Sequence, residues 1–107
     1  MNSAFLEQLN SINAAISASS SGDNTIIPAQ AGKQIVVLSY CFIAAGTVNA
    51  TWKSASAALS GAMPLVANSG AGPRGMISAL QCNQGEALIL NLSGAVLVAG
   101  HLEYVLI

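Results

Sequence analysis

His101 is the single histidine of the chain, and Glu103 stands two residues beyond it. In an extended strand those two side chains share a face. An imidazole–carboxylate pair is therefore the first arrangement to weigh for general acid–base chemistry. Such a pair needs a nucleophile or a substrate pocket beside it. The sequence holds no GxSxG elbow, so a strand histidine near the chain end reads as a surface or interface group. The carboxylates Glu7, Asp23, Glu86 and Glu103 are dispersed along the chain. Glycoside hydrolysis needs two of them placed across one bond, and nothing in the spacing pairs them. No catalytic residue is expected, and the chain reads as a non-enzyme.

Cys41 and Cys82, with one histidine and no CxxC, do not make a zinc set, so neither a metal nor another cofactor is expected. Cys41 lies inside the apolar run VVLSYCFIA and Cys82 ends the run MISALQC. Whether they pair is not readable from sequence, and two small buried or half-buried thiols is the plainer reading. The segment GAGPRG at 70–75 is rich in glycine. It lacks the Lys-Ser/Thr of a phosphate loop, and no helical pattern follows it. Arg74 within it is a candidate partner contact, because arginine is favoured at interfaces. Trp52 is a second candidate contact, with Tyr40 as a companion for stacking on a sugar ring. Against that, the chain has five aromatic residues, and all but Phe5 sit in apolar runs, where core packing is the default.

Charge narrows the function classes further. Charged residues make up 7% of the chain and the net charge is −1, against about 25% charged in an ordinary domain. There is no basic patch, so no nucleic-acid partner is expected. No apolar run is long enough for a membrane span. The amino-terminal segment has neither a basic n-region nor a continuous apolar core, so manufacture in a reducing cytoplasm is expected. A chain with so little charge is prone to associate. A homo-oligomer, or a surface covered by a partner, is the expectation.

The elements that would hold these residues fall into two parts, residues 1–22 and 23–107. In the first, Phe5, Leu9, Ile12 and Ile16 are spaced 4, 3, 4. That is the stripe of a helical seam, and it predicts a short helix over residues 3–18 that docks or oligomerises through those four side chains. The serine-rich residues 17–22 read as a linker. From residue 23 on the period becomes two. Strands are expected at residues 24–29, 34–44, 47–53, 57–60, 63–67, 76–81, 86–93 and 95–107, with an interruption at Gly100. Pro28 and Pro64 push their strands towards sheet edges. A hairpin across residues 44–46 is expected to join the second and third strands. About eight short strands separated by turn residues suit an all-β, antiparallel, jelly-roll-like sandwich carrying a short amino-terminal helical arm.

Four motifs add a resemblance. They are GK-x-I-x-VLSY from residue 32, TWKS from 51, LSG-x-MPL-x-AN-x-G from 59, and GEAL-x-L-x-LS…V-x-GHL-x-Y from 85. Over residues 32–107 the chain resembles small β-sandwich proteins encoded among tailed-phage structural genes, of the capsid decoration or cement type. The resemblance implies a virion protein made in the host bacterial cytoplasm, commonly trimeric, with the major capsid protein as its partner. It also leaves open a tail-fibre or spike head domain that binds a host receptor or glycan. It implies no catalytic residue.

Overall fold

A computed structural model describes residues 11–72 and 79–107 of the chain. Within them lie ten strands: β1 (Ile12–Ala18), β2 (Gly22–Ile27), β3 (Ile35–Ala44), β4 (Val48–Ser54), β5 (Ala57–Ala58), β6 (Met63–Leu65), β7 (Gly70–Ala71), β8 (Leu80–Gln81), β9 (Leu88–Leu92) and β10 (Val98–Leu106). No helix occurs among the described residues.

The strands form two five-stranded antiparallel sheets. The first runs β1-β10-β3-β7, with β8 also paired to β3; the second runs β2-β9-β4-β5, with β6 also paired to β4. The chain crosses between sheets repeatedly, and every long strand pairs with a neighbour remote in sequence. The physical reason lies in the alternation. β4 reads Val48, Ala50 and Trp52 inward, with Asn49 and Thr51 towards solvent. β9 buries Leu88, Leu90 and Leu92. A sheet with one apolar face must cover it with another such face.

Those inner faces meet in one core, which makes the architecture sandwich-like. Ile16, Val37, Phe42, Val98 and Leu102 of the first sheet pack with Ile27, Val48, Trp52, Leu65, Leu90 and Leu92 of the second. Trp52 lies at its centre. Its ring centroid is 5.2 Å from Tyr40, edge-on, and 6.0 Å from Phe42. Tyr40 and Phe42 stack at 5.7 Å. Such aromatic pairs add about 0.5–1.5 kcal/mol each beyond their burial.

Between β10 and β3 the register slips once: Glu103 faces Ser39, but Tyr104 faces Val37, so Leu38 has no partner. This bulge switches which alternate residues of β3 point inward, from Ile35 and Val37 before it to Phe42 and Ala44 after it. Ile35, Val36, Val37 and Leu38 are all buried, but only Ile35 and Val37 belong to the main core. Val36, Leu38 and Val105 form a separate small apolar cluster.

Three expectations are corrected. Residues 12–18 are not helical: they form β1, paired residue by residue with β10 from Ile12–Tyr104 to Ala18–Val98. The helical arm is therefore absent from the described part of that segment, and Phe5 and Leu9 lie outside the described residues. The hairpin across residues 44–46 does not form, because β3 belongs to the first sheet and β4 to the second. Gly100 does not break the last strand, which runs unbroken from Val98 to Leu106.

Candidate functional site

Among the described residues, those able to do chemistry are spread over separate surfaces. On the outer face of the first sheet, His101 of β10 stands opposite Cys41 of β3, and Glu103 stands opposite Ser39. Cys41 and His101 are exposed, and the Ser11 hydroxyl donates to Glu103 Oε2 at 3.3 Å. His101 and Glu103 thus share a face, as their spacing requires, but no ion pair joins them. The one ion pair among the described residues is Lys53–Asp23. No group of three His, Cys, Asp or Glu side chains is placed to hold a metal among those residues either.

Asp23 lies on the outer face of the second sheet. Its carboxylate accepts from Asn91 Nδ2 at 2.7 Å and from Lys53 Nζ at 3.0 Å. The Asn91 hydrogen bond first, and the Lys53 bond and charge after it, hold its pKa below the usual carboxylate value. Glu86 lies at the end of the molecule where β4 finishes. It accepts from the buried Ser54 hydroxyl at 2.7 Å and from Asn83 Nδ2 at 3.1 Å, while Ser54 Oγ accepts from the Asn83 amide at 2.9 Å. This cluster clips the connection before β9 onto the end of β4. Beside it, burial pushes the Cys82 thiol up, with the Glu86 charge adding to the rise and a Ser54 hydrogen bond opposing it. Both cysteines are free thiols.

Of the residues singled out from the sequence, Ile16 and Trp52 are core residues, 1% and 0% exposed. Trp52 therefore presents no ring to a sugar, and its Nε1 is buried without a hydrogen-bond partner. Ile12, on the same strand as Ile16, is 41% exposed. Arg74 lies outside the described residues.

What the fold does assemble is an uncharged end with a few exposed apolar side chains. The connections at residues 19–21, 45–47, 66–69 and 93–97 all lie there, and none carries a charge. The end of β3 ties two of them down. Ala44 donates to Ser69 O and accepts from the Asn68 amide, both at 2.8 Å, and the Ala45 amide donates to Leu97 O at 2.8 Å. Val66 and Leu97 of these connections, with the nearby Ile43, are 60%, 46% and 55% exposed. Lys33 and Glu86 stand at the opposite end. Sequence reading could not find this surface, because its residues come from stretches far apart in the chain. The nearest signal was the lack of charge between residues 34 and 52 and between 87 and 102.

Comparison with family models, with curated proteins and with solved structures found no match to this chain.

Proposed function

We propose that the chain is a non-enzymatic structural protein of a virion, an oligomeric β-sandwich that decorates or cements a phage capsid. The observation that carries this reading is the strand order. Two sheets ordered β1-β10-β3-β7 and β2-β9-β4-β5, with the chain passing from one to the other, support a jelly-roll-like reading of the sandwich. That architecture recurs in viral capsid and lectin domains. Fold alone does not assign function, so the surface supplies the second support. The uncharged end with Ile43, Val66 and Leu97 suits docking on a protein partner such as the major capsid protein through apolar burial, worth about 25 cal/mol per Å². Low charge makes such attachment nearly insensitive to salt. The glycan-binding alternative loses its main support, since Trp52 is in the core.

The test is localisation. Particles are purified from cells that carry the gene and produce phage, and labelled with antibody raised against the chain and gold. Label on the capsid is expected, and it should persist through a wash at high salt. Label confined to the tail would replace capsid decoration with a tail role. A chain abundant in the lysate but absent from particles would refute the reading altogether.

A further inference from the structure

β1 is an edge strand, and nothing on it guards the edge. Exposed strand edges present unpaired N–H and C=O groups to any passing strand. Folded proteins blunt them with charge, proline, bulges or short length. Three of the four edges of this sandwich are blunted. At the far side of the sheets, β7 and β8 are two residues long, β5 is two and β6 is three. On the near side, β2 carries Asp23, its pairing slips between Thr25 and Ile27, and Pro28 follows it. β1 has none of these devices. It is seven residues long, INAAISA, without charge or proline. Its pairing with β10 has no slip, and among the described residues no strand covers its other side.

We infer that the free edge of β1 pairs with β1 of a second copy, antiparallel about a two-fold axis at Ala15, so that the two first sheets join into one. The strand is complementary to itself in this register. Ile12 falls opposite Ala18 and Ala14 opposite Ile16, so a large inner side chain always meets a small one. Asn13 falls opposite Ser17, and Ala15 opposite its own copy, on the exposed side. A two-fold axis sets the axial residue against its own copy, and like charges directly opposite are destabilising. β1 has no charge to repel. Pairing also covers Ile12, the one strongly exposed large apolar side chain of the strand. This goes beyond the virion reading, and the dimer it assigns is not the trimer implied by the phage resemblance.

Light scattering on the full chain tests it. The expected mass is twice the 10.7 kDa of one chain. Ala15 is exposed, so Ala15→Lys keeps the fold while placing two ammonium groups face to face. Its mass should fall to half the wild-type value with an unchanged circular dichroism spectrum. An equimolar mixture of Ala15→Lys and Ala15→Glu should regain the dimer. Thr25→Lys, on the guarded edge, should stay dimeric. Hydrogen exchange gives a readout free of substitutions: in the dimer consecutive β1 amides are protected, whereas in a bare edge every second one exchanges fast. A wild-type monomer, a wild-type trimer, or an Ala15→Lys protein of wild-type mass would overturn the inference. None of these outcomes bears on whether the chain is found on particles, so the two proposals fail separately.

Discussion

Gly100 sits in the middle of β10, opposite Phe42 of β3. A Cβ built there would lie 1.9 Å from Cys41 O, 2.8 Å from Cys41 C and 2.7 Å from Phe42 Cα. All three are backbone atoms, so no rotamer change relieves the clash. β10 is held by β1 on one side and β3 on the other, which leaves it little room to retreat. Gly100→Ala should therefore reach or exceed the upper end of overpacking costs, on the order of 3 kcal/mol. For a domain of this size that lowers Tm by about 12 °C or more. Gly70→Ala is an instructive comparison. Its Cβ would come equally close, 2.0 Å from Phe42 O, but β7 is a two-residue edge strand that can shift outward. Its loss should be clearly smaller. Gly94→Ala, with nothing within 4 Å of its Cβ, is the control and should stay near wild type. Thermal unfolding followed by circular dichroism reads all three. A Gly100→Ala protein within about 2 °C of wild type would show that the β10–β3 approach is not what fixes this glycine.

Other outcomes follow from single sites. Trp52→Ala should cost about 3–5 kcal/mol by urea denaturation; Trp52→Phe should cost much less, because it removes a buried Nε1 that has no partner, and equal losses would contradict that account. The folded-state pKa of Asp23 is depressed, so its contribution is fully present above the unfolded carboxylate value of 3.8 and is lost as pH falls through the lower folded value. The urea midpoint of Asp23→Asn should accordingly fall less between pH 5 and pH 2 than that of wild type. The Cys82 pKa is raised above 9.0, so folding should weaken as pH climbs past that value, and Cys82→Ala should flatten this alkaline loss. A thiol reagent should modify only the exposed Cys41 in the native protein and reach the buried Cys82 on unfolding; fast modification of Cys82 under native conditions would place it at the surface.

Much of the fold was legible in local pattern. Alternation in residues 47–53 and 86–93 marked β4 and β9, and Pro28 and Pro64 marked strands at sheet edges. Trp52 and Phe42 were legible as core for the same reason. The amino-terminal segment was misread because its spacing is ambiguous. Ile12 and Ile16 are four apart, which fits one helix face, but four is also twice two. Ile12, Ala14, Ile16 and Ala18 alternate as a strand should. Local pattern held both readings, and the need of β10 for a partner along its free side selected the strand. The hairpin failed for a related reason: a short connection favours local pairing, but β3 found its partner in β10, at the far end of the chain.

Composition and the period of two mark this protein as nearly uncharged and built of antiparallel strands, because both act residue by residue. Which residues share a surface follows from packing. Pairing between distant strands gathered Ile43, Val66 and Leu97 at one uncharged end. It also left β1 as an edge without charge, bulge or proline. Exposure and neighbourhood are properties of the packed chain, and no local window of sequence contains them.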